Sequence, residues 1–313
     1  MGIKGTVMPT LHRMALLSGA STWFAQRIPR RRILMVHNIS LGSIEPAAFE
    51  AQLHWLRRRF RLISLPEMVS RIERGHPPEA PGELALTFDD GLRNHAENAY
   101  RILLQQRVPA TFFICPDLID QGRWLWNQEA RERLRTLSEG QLHEVARAVG
   151  APDVRGEQIV AWMKTLGLDA RLRVEQMLRD ASPRFEPDAG LRAIYDPLSW
   201  QQVVEMDQEL ITIGSHTLDH PILPTLDDAE LERQMVQSRA ALEQRLQRVV
   251  DLFCYPNGAN DQRARALVAR NYRAAVTSDA GTVPADVCRT LLPRVPAAAT
   301  LSLLAWRLNR PGS

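Results

Sequence analysis

Short apolar runs separated by longer stretches with helical spacing recur along most of the chain. Ile33–His37, Leu84–Phe88, Ala110–Ile114, Leu210–Gly214, Leu252–Tyr255, Arg273–Thr277 and Thr290–Val295 read as strands, with Leu62–Ser64 as a shorter one. Each is too short for a stable helix, and polar or turn residues flank it. The stretches between them read as helices. Glu45–Arg59 lines up Phe49, Leu53 and Leu56 on one side, and Pro66–Arg74 has proline in its first turn and Gly75 at its end. Ala96–Gln106, Asp227–Leu246 and Asp261–Arg270 follow the same spacing. Ser199-Trp200-Gln201-Gln202 fits a capping box opening a helix that runs to about Met206. Strand alternating with helix predicts an α/β fold, either an open sheet or a barrel.

The rhythm breaks once. From Asn127 to about Arg179 the chain is rich in Glu, Arg, Leu and Ala at helical spacing, with almost no strand signal, and a loop from Ser182 to Pro197 follows. Residues 121–197 are therefore expected to form a helical insertion in a fold made of residues 31–120 and 198–296. Residues 1–30 are an N-terminal segment, and residues 297–313 are a tail with helical character. Trp124 and Trp126 stand at the entrance of the insertion, where they suit either hinge packing or a stacking surface for sugar rings.

The chemistry-bearing residues lie at strand ends. The run Leu84–Phe88 ends in Asp89-Asp90-Gly91. Neighbouring strand residues point to opposite faces, but a bend at the strand end lets both carboxylates reach one pocket. Two adjacent acids repel unless a cation or a shared proton offsets them, which suggests one acid on a metal and one held back as a base. Far downstream, Leu210–Gly214 runs into Ser215-His216-Thr217-Leu218-Asp219-His220. On a helical turn or compact loop, His216 and His220 can face one ion. With Asp90 they would make a site of two histidines and one carboxylate with positions open to water.

Thr87-Phe88-Asp89-Asp90-Gly91, Ser215–His220 and Phe253-Cys254-Tyr255-Pro256-Asn257-Gly258 together resemble the polysaccharide deacetylases of carbohydrate esterase family four. The resemblance implies a distorted, incomplete (β/α) barrel, a divalent metal, and hydrolysis of N-acetyl groups on sugars. It implies that Asp90, His216 and His220 bind the metal, that Asp89 is the general base, and that the backbone N–H of Tyr255 helps hold the oxyanion. Zinc is the expected ion, and cobalt, nickel or manganese suit similar ligands. The chain also departs from the family pattern. Many members place a general-acid histidine late in the chain, but none follows His220 here, and His37 at the first strand end is the best substitute. Many members also orient the base with an arginine. Arg294 in Leu292-Pro293-Arg294-Val295 either supplies that charge or makes a surface ion pair. The expected substrate is an N-acetylated amino-sugar polymer or oligomer. The alternatives are a lipid-linked or small amino-sugar precursor losing acetyl or formyl, and a catalytically silent sugar-binding module.

Composition narrows the setting. The chain has 313 residues and a formal net charge of +3. Its charges are spread out, with no polybasic tail or aromatic-basic stripe, which argues against nucleic acid as a partner. The three cysteines, Cys115, Cys254 and Cys288, have no Cys-x-x-Cys spacing, which favours reduced thiols and a cytoplasmic setting. No apolar run approaches about 18 residues, so no membrane span is expected. The apolar run Met14–Ala20 is soon interrupted by polar residues, which argues against a signal peptide but leaves room for a peripheral membrane contact. Nothing in the sequence sets the oligomeric state.

Overall fold

The computed structural model describes residues 29–148, 150, 157–206 and 208–309. The apolar run Met14–Ala20 and the last four residues of the tail lie outside the described residues. No described helix is long and apolar enough to cross a membrane.

All the named strands are parallel: β1 (Arg31–Val36), β2 (Arg61–Leu62), β3 (Glu83–Phe88), β4 (Ala110–Ile114), β5 (Ile211–Ser215), β6 (Leu252–Cys254), β7 (Ala274–Ala280) and β8 (Leu292–Pro296). Seven of them close a ring in the order β1-β8-β7-β6-β5-β4-β3, with β3 returning to pair with β1 along its whole length. The short β2 stays out of the ring. It pairs with Glu83 and Leu84 at the start of β3, and β4 pairs further along, from Leu86 to Phe88. The fold is the distorted (β/α) barrel that the strand–helix rhythm and the resemblance implied. The distortion is visible between β7 and β8, where β7 advances from Val276 to Ala280 while β8 advances only from Leu292 to Arg294.

Strand alternation sorts the core into two shells. Ile33, Ala85, Phe113, Cys254, Val276 and Leu292 belong to one cluster inside the ring. Leu34, Val36, Leu86, Phe88, Phe112 and Ile213 face outward and meet helices such as α1 (Pro46–Arg57), through Phe49, Leu53 and Leu56. α2 (Leu65–Glu73) is capped by Ser64 and sends Met68 and Val69 into the inner cluster, so it plugs the N-terminal end of the ring. The first strand starts two residues earlier than its apolar pattern suggests, at Arg31. Both Arg31 and Arg32 are buried. Glu83 accepts from Arg31 Nε at 2.7 Å, and Arg32 Nε donates to the Leu308 carbonyl at 2.6 Å. These partners make the burial of two guanidinium groups tolerable.

Between β4 and β5 the chain forms α3 (Trp126–Thr136), α4 (Glu139–Ala148), α5 (Glu157–Met163), α6 (Leu168–Ala181) and α7 (Ala189–Tyr195). The first four share a core of their own, including Ala130, Leu134, Val145, Ile159, Met163, Val174 and Leu178, and touch the barrel through Ile222, while α7 buries no residue. Where the segment rejoins the barrel its C-terminal end is pinned to the loop after β3, and a side-chain bond ties it to the segment's start. Arg93 N donates to the Asp196 carbonyl at 2.7 Å, and Leu198 N donates to the Gly91 carbonyl at 2.8 Å. Trp124 Nε1 donates to Asp196 Oδ1 at 2.8 Å. Trp124 and Trp126 are both buried, so they pack the hinge and present no face for a sugar to stack on.

Candidate active site

Every candidate residue named from the sequence sits at the C-terminal end of the barrel strands. Asp89 and Asp90 follow β3, His216 and His220 follow β5, Tyr255 follows β6, Arg294 lies in β8, and His37 follows β1. All seven line one cavity of about 250 Å³. This is the end where the loops of a parallel barrel converge.

The two acids share the cavity because the backbone turns between them. Asp90 adopts a left-handed conformation, φ 77°, which breaks the alternation that would send its side chain outward. Gly91 follows at φ 67°, and a Cβ there would lie 3.0 Å from Ile114. Only glycine fits the turn without moving β4.

Asp89 is gripped by Arg294. Nη1 donates to Oδ1 and Nη2 to Oδ2, both at 2.7 Å, and both residues are buried. Arg294 also donates from Nε to the Thr277 carbonyl at 2.7 Å and from Nη1 to Thr87 Oγ1 at 3.1 Å. The surface-pair reading of Arg294 is therefore corrected: the inward alternation of β8 puts it in the core of the ring. Burial alone would raise the pKa of Asp89. The guanidinium outweighs it and draws the group down to about 2, so the carboxyl stays ionised.

Asp90 Oδ1 lies 3.5 Å from His216 Nε2 and 3.6 Å from His220 Nε2. The two histidines meet in a compact loop, with ring centroids 4.8 Å apart. That loop needs positive φ at Thr217 and His220, and several bonds hold it in place. His220 N donates to Thr217 Oγ1 at 3.0 Å. The amides of Leu218 and Asp219 donate to Gln234 Oε1 at 3.1 and 3.3 Å. Trp126 Nε1 donates to the His220 carbonyl at 3.0 Å. His216 Nδ1 lies 2.7 Å from the Cys254 carbonyl, which fixes Nδ1 as a donor and turns Nε2 toward Asp90.

These residues fit a divalent ion. Two ligands about 2.1 Å from one ion lie roughly 3.0 to 3.5 Å apart, close to the separations found here. Electrostatics points the same way. Burial penalises charge at all three groups, yet Asp90 is held well below the usual carboxylate range and His216 is pushed well up, while burial and the neighbouring His216 draw His220 down to about 3. The cluster stabilises positive charge in a buried place. Asp89, His216 and Cys254 also approach one another, but they do not suit a metal. Arg294 already occupies both oxygens of Asp89 and donates to Cys254 Sγ at 3.3 Å.

His37 is half-exposed at the rim, with Nε2 3.8 Å from Asp89 Oδ2. Below it, His95 Nε2 lies 2.7 Å from the His37 carbonyl, and burial lowers the His95 pKa to about 4, so a neutral ring donates that bond. Tyr255 needs a correction. Its backbone N–H, expected to face an oxyanion, donates to the Val276 carbonyl at 3.2 Å as part of the β6–β7 ladder. Its ring packs in a cluster with Phe253, Leu223 and Tyr272. Other supports had no sequence signal. His95 and Gln234 both lie in π-helical turns, His95–Tyr100 and Arg233–Gln237, inside stretches that read as uniform helices.

A closed parallel barrel with a carboxylate–histidine cluster and an arginine-held acid at the mouth of one cavity defines a hydrolase-type centre. The sequence model of the family described as polysaccharide deacetylase matches residues 76–275, nearly two thirds of the chain. The chain belongs to that family, whose members hydrolyse the amide bonds of sugar N-acetyl groups. It is 22% identical over 280 residues to YxkH of Bacillus subtilis, which carries the name of a polysaccharide deacetylase. The match covers 88% of this chain and 74% of that protein. The Streptococcus pyogenes deacetylase PplD, solved in complex with acetate, is 19% identical, with a TM-score of 0.62 over 91% of this chain and 100% of that one. IcaB from Ammonifex degensii is 18% identical, with a TM-score of 0.59 over 89% of this chain and 97% of that one. At these identities the two structures support the fold.

Proposed function

We propose that the protein is a metal-dependent hydrolase that removes N-acetyl groups from an amino-sugar polysaccharide or oligosaccharide. The observation that carries this reading is the shared cavity: an ionised Asp89 clamped by Arg294, next to a cation-seeking cluster of Asp90, His216 and His220. A divalent cation held by those three would supply Lewis acidity, activating water and polarising the acetyl carbonyl. Asp89 is the general base. Arg294 fixes both its oxygens, so it meets the reacting water in one orientation, and its low basicity suffices for water made acidic at the site. His37 is the proton donor to the departing amine. It stands half-exposed at the rim of the cavity, beside Asp89. With the Tyr255 N–H committed to the ladder, no oxyanion role is assigned to it.

The test is release of acetate from a panel of N-acetylated oligosaccharides, with protein stripped by a chelator and then reloaded with zinc, cobalt, nickel or manganese. Activity that disappears on stripping and returns on reloading supports the reading. Full activity in stripped protein, with metal analysis confirming removal, rejects it.

A further inference from the structure

We infer that the helical segment between β4 and β5 adds a specificity residue to the site, Lys164, which selects substrates carrying an anionic group beside the acetylated sugar. Lys164 follows α5, and its Nζ donates to Asn257 Oδ1 at 2.6 Å. Asn257 lines the catalytic cavity. The side chain is half-buried, and among the described residues its ammonium forms no ion pair with a carboxylate. Its one protein partner is a neutral amide. Burial and nearby Arg131 both disfavour its charge, and Asp90 in the cavity favours it. A partly desolvated ammonium with a neutral partner gains most when a ligand brings the missing negative charge.

The rest of the mouth leaves that charge unmet. Asp89 and Asp90 are the only carboxylates lining the cavity among the described residues, and Asp89 is already neutralised by Arg294. With a dication on Asp90, His216 and His220, the cavity would carry net positive charge. The same helical segment supplies a second, uncharged contact. Asn127 lines the cavity, and its Oδ1 is buried without a hydrogen-bond partner among the described residues, so it is available to a sugar hydroxyl or amide N–H. Around the ring, the loop after β6 that carries Asn257 lies opposite the loop after β1 that carries His37. An acetylated sugar seated between Asp89 and His37 would direct its far substituent toward Lys164. A carboxylate on the glycan, or a phosphate on a sugar carrier, supplies the anion, and these two sources share one recognition chemistry.

This inference rests on the deacetylase reading for the identity of the sugar but not for the anion contact, so binding and turnover are measured separately. Calorimetry on the full-length, metal-loaded protein would compare N-acetylglucosamine, N-acetylglucosamine 1-phosphate and N-acetylmuramic acid. At low salt, at least one anionic probe is expected to bind about tenfold or more tighter than the neutral sugar. Lys164→Gln should erase that preference without changing the neutral sugar, Lys164→Arg should retain it, and added salt should shrink it. The phosphate and carboxylate arms identify the source of the anion. No preference for either anion, or an equal loss on all three probes in Lys164→Gln, overturns the inference and leaves the Lys164–Asn257 bond as a structural tether. An intact, Lys164-dependent preference with no acetate released from any probe counts against the hydrolytic reading of the cavity and not against the anion contact.

Discussion

The two ends of the barrel hold the same kind of ion pair and use it differently. On β3 the inward row runs Glu83, Ala85, Thr87, Asp89. At the N-terminal end Glu83 accepts from Arg31 at 2.7 Å and faces Arg71 Nε at 2.7 Å. At the other end Asp89 receives both arms of Arg294 at 2.7 Å. Arg31, Glu83, Asp89 and Arg294 are all buried, and Arg71 is partly so. α2 seals the Glu83 end with Met68 and Val69, so no ligand reaches that carboxylate. The Asp89 end opens on a cavity shared with Asp90, His216, His220 and a half-exposed His37. A buried arginine–carboxylate pair is therefore no sign of function by itself. It becomes chemistry where the chain leaves space beside it and adds groups that want a further cation.

The comparison breaks most sharply at the additional groups. Asp90→Ala, His216→Ala and His220→Ala should each lower metal content and remove most acetate release, because a three-ligand site loses its geometry with any one of them. Metal analysis of purified protein alongside acetate assays checks this. Normal metal content together with normal turnover in any of the three would remove that residue from the site.

The paired carboxylates should then separate stability from turnover. Asp89→Asn leaves the proposed metal ligands in place and removes the proposed base, so metal should stay bound while turnover falls by about 10²-fold or more. Glu83→Ala should do the reverse. It strands the buried charge of Arg31, and breaking a buried pair by removing one partner costs roughly 3 to 5 kcal/mol. Its melting temperature should fall while activity per folded molecule stays near normal. If Glu83→Ala lost turnover without losing stability, the N-terminal pair would not be structural.

A narrower contrast concerns the rim. Amide hydrolysis must protonate a poor leaving group, whereas an activated aryl acetate hardly needs it. His37→Ala should keep fold and metal, cut kcat on the amide by roughly 10²-fold, and affect the aryl ester far less. Equal losses on both substrates, or no loss on either, would take the acid role from His37.

Much of this was legible in the sequence because the strands are short, apolar and regularly interrupted, and because the cavity lies where they stop. Asp89, Asp90, His216 and His220 could be placed from strand ends and motif spacing. Arg294 was harder to place. A proline-flanked arginine near the chain terminus looks exposed until β8 is known to pair with β1, which fixes the inward face. The burial of Arg31 and Arg32 leaves no mark in the sequence for the same reason, since their partners, Glu83 and the Leu308 carbonyl, are far away in sequence. The Tyr255 amide was misread because the spacing of a motif does not say which N–H the neighbouring strand will take. The π turns carrying His95 and Gln234 have no periodic signature, because one extra residue in a turn leaves the surrounding helical pattern nearly unchanged.

The smallest expected effect lies where the helical segment touches the Asp90–His216–His220 cluster. Trp126 donates its indole N–H to the carbonyl of His220 at 3.0 Å, and Arg171 stacks 4.7 Å above its ring. The bond restrains a residue held at φ 64°, a conformation histidine adopts at some cost. Trp126→Phe keeps most of the apolar contact in the cluster with Ala130, Leu134 and Val174 but deletes the donor. One neutral hydrogen bond is worth about 1 kcal/mol net, so global stability should change little. The metal should feel it more, because support behind a ligand commonly alters affinity by about 10-fold or more when lost. The variant should therefore bind metal about tenfold more weakly in competition with a chromophoric chelator, while its melting temperature without metal shifts by only a few degrees. A large drop in that melting temperature with unchanged metal affinity would make Trp126 a packing residue alone, and the link between the helical segment and the His220 loop would carry no functional weight.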